Sequence, residues 1–142
     1  MKTILVLALL AVAGLLAYIR LAPSEPARWP VDPLQPSDPG PGGVLLRYPL
    51  DVPPVRALEQ FDAVALAEPR VAVLAGSVRD RHITYVARSK WIGFPDYVTV
   101  KAVDTDRGAE LVVLSRLRFG ANDLGANPKR LDGWVDVLQA VP

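Results

Sequence analysis

An uncharged apolar run near the start of the chain constrains the fold more than any other feature. Thr3 to Ile19 contains no charged residue over 17 positions, and only two residues precede it. As an α-helix this run is about 25 Å long, close to the roughly 30 Å thickness of a bilayer's hydrocarbon core. Leu21 extends the helix if the Arg20 side chain snorkels toward the head groups. The sequence therefore predicts a membrane-spanning helix over residues 1–21.

The apolar run has two interpretations, a cleaved signal peptide and an uncleaved signal anchor. A cleavage site needs small residues in a polar stretch after the apolar core. Ala11 and Ala13 lie inside the apolar run, and a cut just before Pro23 would place a proline after the scissile bond. These positions favour the anchor. Cations flank the run on both sides, but the short N-terminal tail and long C-terminal part predict export of the C-terminal domain.

A proline-rich segment follows over residues 22–54 and carries ten of the chain's fourteen prolines. Proline fixes φ and removes a backbone donor, so the segment should be extended and partly polyproline-like. We interpret it as a spacer that lifts the next domain off the membrane. In the alternative interpretation, Trp29, Leu34 and the triplet Val44 to Leu46 attach part of the spacer to the domain or to a partner.

Residues 55–142 are long enough for one small domain. The pattern predicts an α+β fold, with a helix, a four-stranded antiparallel meander and a second helix in a two-layer sandwich. The final helix should start with Asn127 as N-cap and Pro128 at its first position, and its apolar stripe should face the sheet. The first helix should stop before Pro69 and the strands should cover Arg70–Val78, His82–Ile92, Tyr97–Asp104 and Glu110–Phe119.

The alternating strands predict one basic sheet face. Side chains alternate between the two faces of a strand, so cations from three strands should share the face away from the helices. An open basic face suits an anion such as a lipid head group, a sugar phosphate or an acidic partner surface. The alternative is an ordinary solvated face balanced by nearby aspartates. The cations, interleaved with Tyr97 and Thr99, are Arg88, Lys90, Lys101, Arg116 and Arg118.

The composition supplies few parts for catalysis. The chain has no cysteine and one histidine, His82, and no His, Cys, Asp and Glu cluster has metal-ligand spacing. A net charge of +1 gives no field that would recruit nucleic acid. Asp96 and Asp123 form a carboxylate pair only if two loops converge, and turn formation is the simpler role for each. We predict no cofactor, no metal and no nucleic-acid partner.

Two stretches of the domain have a distinctive pattern, RSKWIGFPDYVTVK (Arg88 to Lys101) and SRLRFGANDLGANPKR (Ser115 to Arg130). They resemble an uncharacterised family of bacteria and plastid-bearing organisms, known as domain of unknown function 1499. The resemblance implies a fold and a membrane association but no reaction. Leu117 and Asn122 stand where the family pattern tends to have serines. The matching residues are Arg88, Ser89, Gly93, Phe94, Asp96, Ser115, Arg118, Gly120, Asp123, Leu124, Gly125, Asn127 and Arg130.

The second stretch gathers polar side chains that could form either an internal network or a binding pocket. In the network, Asp123 pairs with Arg118 or Arg130 and the last helix is capped. In the pocket, the same residues hold an anionic ligand or a partner's carboxylate. Our candidate binding residues are Arg88, Asp96, Arg116, Arg118, Asp123, Asn127 and Arg130.

These observations predict a non-catalytic binding or accessory module. We expect it to be tethered by a single span to a bacterial inner membrane, with its domain on the periplasmic side, as a subunit or partner of a membrane complex. A binder of anionic lipid or of a small anion is the alternative. A hydrolase or transferase that uses Asp96 and Asp123 is a third, weaker hypothesis.

Overall fold

The computed structural model describes residues 1–35, 38–122 and 124–140. It contains three helices and five strands in the order α1, β1, α2, β2 to β5, α3 within those residues. Their bounds are α1 Lys2–Leu21, β1 Val44–Leu50, α2 Pro54–Leu66, β2 Val71–Ser77, β3 His82–Arg88, β4 Pro95–Thr105, β5 Gly108–Leu117 and α3 Ala126–Gln139.

Helix α1 coincides with the uncharged run and is long and apolar enough to cross a bilayer. Most of its side chains are exposed, and Ile19 near its C-terminal end is buried. A helix that is apolar all round but uncovered by protein is typical of a membrane segment or of a signal sequence. Its length and composition alone therefore indicate a membrane location only weakly.

The sheet has five antiparallel strands in the order β1-β5-β4-β3-β2, so the predicted four-stranded meander was one strand short. The additional strand, β1, comes from the predicted spacer and pairs with β5 from Val44↔Ser115 to Leu50↔Ala109. Pro49 argued against a strand here, because proline lacks the N–H group that a central strand needs. Strand β1 lies at the edge of the sheet, where proline is tolerated. Residues 44–50 thus belong to the sheet, although we had assigned them to the spacer.

Both α2 and α3 pack on one face of the sheet, as the two-layer prediction requires. The core on that face joins Leu58 and Phe61 of α2 to Leu131 and Trp134 of α3. The strands contribute every second side chain to this core, and these include Ile83, Tyr85, Val98, Val100, Leu111 and Val113. The α+β prediction is confirmed, because a regular apolar alternation on the strands matches an apolar stripe on each helix.

Two polar side chains at the margin of this core are satisfied by α2 and the residues after it. Tyr85 donates a hydrogen bond to Asp62 Oδ1 at 2.8 Å, and Trp134 Nε1 donates to Glu68 Oε1 at 2.7 Å. Burial, with the Asp62 hydrogen bond and charge, raises the pKa of Tyr85 far above its ordinary value. Tyr85 therefore serves as a neutral donor.

The start of α3 differs from the prediction. Gly125, with φ of 80°, precedes the helix, and the helix begins at Ala126 without a side-chain cap hydrogen bond. Asn127 is completely buried inside the first turn and is not the N-cap. The Asn127 side chain is used for tertiary hydrogen bonds and not for capping. Its Oδ1 accepts a hydrogen bond from Ser115 Oγ at 2.6 Å, and its Nδ2 donates to the Gly42 carbonyl at 3.3 Å.

Strand β3 is also shorter than the predicted strand His82–Ile92, because it ends at Arg88. Ser89 Oγ accepts hydrogen bonds from the backbone N–H groups of Gly93 and Phe94, at 3.1 and 3.0 Å. Such local side-chain to backbone bonds favour a turn over a continued strand. Residues 89–94 therefore form a loop at the end of the sheet where β3 ends and β4 begins.

Candidate functional site

The sheet face away from the helices is covered by the first half of the proline-rich segment, so the predicted open basic face does not exist. Thr84, Tyr97, Thr99 and Leu114 on this face are all buried. Trp29 lies at the centre of the cover and stacks on Tyr97. A face that carries Tyr97, Val112 and Leu114 among its cations needs a cover, and these apolar side chains were the signal that the sequence analysis left unused.

Polar contacts fasten the segment to the sheet. Lys101 Nζ pairs with Asp32 Oδ2 at 2.9 Å, and a ring nitrogen of His82 lies 3.0 Å from the Val31 carbonyl. Ser24 Oγ lies 2.8 Å from the Tyr97 hydroxyl. Arg116 donates to the Trp29 carbonyl. The segment thus folds back on the domain, which corrects the interpretation that it lifts the domain away.

Arg116 and Arg118, two of the candidate anion ligands, are used inside the chain. Both guanidinium groups lie over the Trp29 ring, at 5.8 and 5.7 Å from its centroid. Arg118 Nη1 also donates to the Pro23 carbonyl at 2.7 Å and to the Tyr97 hydroxyl at 3.0 Å. Burial lowers the pKa of Arg116. Their role in the structure is to hold the segment.

Arg88, a third candidate, joins the 89–94 loop to the end of α1. Its Nη1 donates to the Gly93 carbonyl at 3.0 Å and to the Arg20 carbonyl at 3.2 Å. The rings of Tyr18 and Phe119 meet edge to face with centroids 6.1 Å apart. These contacts place the C-terminal end of α1 directly against the domain.

The remaining described candidates form a buried polar cluster on the opposite, helix-facing side of the sheet. Arg130 Nη1 donates to Asn127 Oδ1 at 2.8 Å and lies 3.5 Å from Asp96 Oδ2. Ser115 completes the cluster through its hydrogen bond to Asn127. Asp96 is 4% exposed and Ser115 is fully buried, so the cluster is a structural part of the interior.

The sheet separates this polar cluster from Arg118, which lies on the covered face. The sequence analysis grouped Arg118 and Arg130 in one internal network or one binding pocket, because they are close along the chain. Arg118 lies beside Arg116 against the covering segment, whereas Arg130 belongs to α3 on the opposite face of the sheet, so closeness in sequence did not bring them together. Asp123 lies outside the described residues, so its predicted pairing and its separation from Asp96 have no structural account.

A cleft of about 240 Å³ lies beside the polar cluster. Its walls come from both family-like stretches, with Asp96 among the lining residues and Leu124 at its rim, 94% exposed. Leu124 has φ of 53°, and the Asn122 side chain accepts a hydrogen bond from its backbone N–H at 2.7 Å. The lining is mainly apolar, and it consists of Ser89, Phe94, Asp96, Leu117, Phe119, Gly120, Asn122, Leu124 and Ala126.

A larger surface groove, of about 690 Å³, lies at the other end of β4 and β5. It runs between the ends of β1 and α3 and the turn at Thr105 to Arg107. None of the candidate residues that the structure describes lines it. We favour the smaller cleft as the functional site, because the two distinctive stretches of sequence converge there.

The described residues hold no group of three or more His, Cys, Asp or Glu side chains placed to bind a metal ion. The ring of His82 is only partly buried and is bonded to the Val31 carbonyl. Asp96 lies beside Arg130 and is almost inaccessible to solvent. This arrangement suits an architectural role for each of these groups.

Comparisons with solved structures show the same fold. The crystal structure of protein MLL2253 from Mesorhizobium loti is similar with a TM-score of 0.52 and 13% identity, over 70% of this chain and 98% of that one. Protein CV1439 from Chromobacterium violaceum is similar with a TM-score of 0.52 and 18% identity, over 71% of this chain and 97% of that one. A search of curated proteins finds no match.

A family model matches residues 45–138, which begin inside β1 and end in α3. The matched region therefore contains the sheet, both packed helices, the polar cluster and the cleft. It also includes most of the strand that we had assigned to the spacer. More than half of the chain is covered, and the chain belongs to the family described as "Protein of unknown function (DUF1499)".

Proposed function

We propose that this chain is a membrane-tethered, non-catalytic binding module on the periplasmic side of a bacterial inner membrane. Helix α1 is the proposed anchor, which its length of 20 residues, its mean hydropathy of 2.5 and the exposure of nearly all its side chains support. The domain follows at once, because Ala22 is buried and Pro23 and Ser24 already contact the sheet. The module thus stays within reach of membrane components.

The proposed binding site is the cleft of about 240 Å³ between the 89–94 loop and the loop that follows β5, which we call the signature loops. One observation carries this assignment: both loops meet at the end of the sheet that contacts the C-terminal end of α1. A partner that is itself embedded in the membrane would meet this end of the domain first. The cleft's apolar lining, with hydroxyl and amide groups at Ser89 and Asn122, suits an apolar side chain of that partner.

A small anion is a weaker candidate for this cleft. Anion sites use cations or backbone donors that are free to turn toward the ligand. Arg116 and Arg118 lie on the other face and are engaged by the proline-rich segment, and Arg130 lies beside the Asp96 carboxylate. The cleft is therefore better suited to an apolar group.

The non-catalytic assignment follows from how the candidate catalytic groups are held. A general base must reach a substrate proton at hydrogen-bond distance. Asp96 is buried next to Arg130, and a ring nitrogen of His82 is bonded to a backbone carbonyl. Asp96 lines the cleft but is only 4% exposed and lies 3.5 Å from the Arg130 guanidinium, so it is poorly placed to act as a base.

A site-specific photo-crosslinker tests the proposed site. The photoreactive amino acid replaces Leu124 at the rim of the cleft in the full-length chain, in native membranes, and Arg107 at the opposite end of β5 serves as the control position. We expect one membrane protein to be crosslinked from position 124 only. The product should disappear when Ala126→Phe fills the cleft. Identical products from both positions, or a product that survives Ala126→Phe, would show that the cleft is not the binding site.

The topology is tested by cysteine labelling, for which the chain is suited because it contains no cysteine. Arg107 is highly exposed, so Arg107→Cys offers one accessible thiol. We expect a membrane-impermeant maleimide to label it in intact spheroplasts, and carbonate to leave the protein in the membrane. Labelling only after lysis would reverse the orientation, and release by carbonate would refute the anchor.

A further inference from the structure

Three exposed side chains on the loop between β3 and β4 form a surface beside the end of α1. We call Lys90, Trp91 and Ile92 the interface loop. Trp91 is 83% exposed, and Ile92 is 39% exposed. Large apolar side chains on a loop tip are unfavourable in water and often mark an interaction surface. Lys90 Nζ lies 5.1 Å from the centroid of the Trp91 ring, which gives the loop a cation next to its indole.

The interface loop is fixed relative to α1. Trp91 and Ile92 share a groove with Leu16, Ala17 and Arg20 in the last part of that helix. The aliphatic stem of Arg20 also packs over Gly93, where an added Cβ would lie 3.4 Å from Arg20 Cγ. The hydrogen bond from Arg88 to the Arg20 carbonyl closes the same junction. The loop therefore cannot move away from the helix end without breaking several contacts.

The groove defines how deep the loop lies relative to α1. Leu16 and Ala17 precede the last helical residue, Leu21, by four or five positions, which is about 6 to 8 Å along the helix axis. An amphipathic element bound at the membrane surface is buried to about 5–10 Å at the boundary between head groups and acyl chains. Trp91 thus lies at interfacial depth whenever α1 spans the bilayer.

We propose that the interface loop inserts into the outer surface of the bilayer that α1 crosses. Tryptophan is enriched at the membrane interface, where its amphipathic ring fits the head-group region. Lys90 and Arg20 supply cations at the same level, where they meet lipid phosphate groups. The interface loop and α1 together fix the tilt of the domain relative to the membrane. The cleft between the signature loops therefore opens at the lipid surface.

This inference depends on the proposed function in one respect, since α1 must span the membrane. The test therefore uses single cysteines in the full-length chain, reconstituted in vesicles of phosphatidylcholine and phosphatidylglycerol. An environment-sensitive fluorophore is attached at Leu10→Cys in the middle of α1, at Trp91→Cys or Ile92→Cys in the loop, or at Arg107→Cys at the far end of the sheet. Nitroxide lipids with shallow and deep spin labels report the depth of each fluorophore.

We expect the label at position 10 to be quenched by the deep nitroxide and the labels at 91 and 92 by the shallow one. The label at 107 should emit as it does in water and be quenched by neither lipid. A quenched position 10 with water-like emission at both 91 and 92 would overturn the insertion of the loop and leave the anchor intact. Water-like emission at position 10 would refute the anchor, and the loop's insertion with it.

Discussion

The indole of Trp29 stacks on the ring of Tyr97, with ring centroids 4.1 Å apart and 14° between their planes. Trp29 belongs to the proline-rich segment and Tyr97 to the central strand β4. The pair therefore joins the covering segment to the middle of the sheet. The guanidinium groups of Arg116 and Arg118 lie over the Trp29 ring of this pair.

The stacked pair predicts that Trp29→Ala destabilises the domain by about 2 kcal/mol, from the lost apolar burial and the lost aromatic contact. Val137→Ala is the control, because that side chain is 51% exposed on α3, on the other side of the sheet from Trp29; it should change the free energy of unfolding by less than about 0.5 kcal/mol. Urea unfolding of the full-length chain in mild detergent measures both. Equal effects would show that the covering segment does not stabilise the sheet.

Strand β1 makes a prediction about the stability of truncated chains. A fragment of residues 55–142 should be less stable than one of residues 44–142 by on the order of 4 kcal/mol, because four half-buried side chains of β1 leave the core. Those side chains are Val44, Leu46, Tyr48 and Leu50. The shorter fragment also exposes β5 as an edge, so gel filtration should show association. Two fragments with the same urea midpoint would contradict the role of β1.

The buried pair of Arg130 and Asp96 predicts a large effect from a single substitution. Arg130→Met should destabilise the domain by about 3–5 kcal/mol, because it leaves a carboxylate without this partner in the interior. Lys129→Met, at the exposed neighbouring position of α3, is the control and should have an effect below about 0.5 kcal/mol. The double variant with Asp96→Asn should recover part of the loss, as a double-mutant cycle would detect. Purely additive effects would mean that the two side chains do not interact.

The ion pair between Asp32 and Lys101 predicts a pH dependence. The hydrogen bond from Lys101, followed by that from the Leu34 backbone N–H, lowers the pKa of Asp32 below its ordinary 3.8. A group whose pKa is lowered on folding contributes stability above its unfolded pKa, and that contribution is lost as the pH falls through the folded value. The contribution should be below about 1 kcal/mol, because both side chains are partly exposed.

Asp32→Asn should therefore lower the urea midpoint at pH 7, and the difference from the parent chain should shrink as the pH drops below about 3.8. Glu25→Gln, at an exposed position of the same segment, is the control and should leave the midpoint unchanged at both pH values. A difference for Asp32→Asn that is the same at pH 7 and below pH 3 would contradict the assignment.

Much of the fold could be predicted because it is written in local periodicity. Helix α1 follows from an uncharged run, and strands β3 to β5 follow from alternation that Tyr85, Val98 and Leu111 maintain on the core side. The apolar stripe of α3, with Leu131, Trp134 and Leu138, needs no distant partner to be recognised. Each of these signals lies within one continuous segment of the chain.

The candidate site was predicted only in part. The resemblance brought together the two stretches that line the cleft, but it did not separate the residues that share a face from those that do not. Asn127 looked like a helix cap, because its partners Ser115 and Gly42 are distant along the chain. Arg118 and Arg130 are close in sequence and were expected to be close in space, although the sheet lies between them.

The sequence by itself determined the apolar anchor-like helix, the α+β class and most strand and helix positions, because these depend on hydrophobic periodicity within each segment. Only the tertiary structure decided that β1 extends the sheet, that Trp29 covers Tyr97 and that Arg116 and Arg118 bind backbone carbonyls of the covering segment. Those outcomes depend on which distant segment covers an edge or a face. A proline-rich segment shows no hydrophobic periodicity from which its position could be predicted. Its position on the sheet is stabilised by burial and hydrogen bonds that exist only after the sheet has formed.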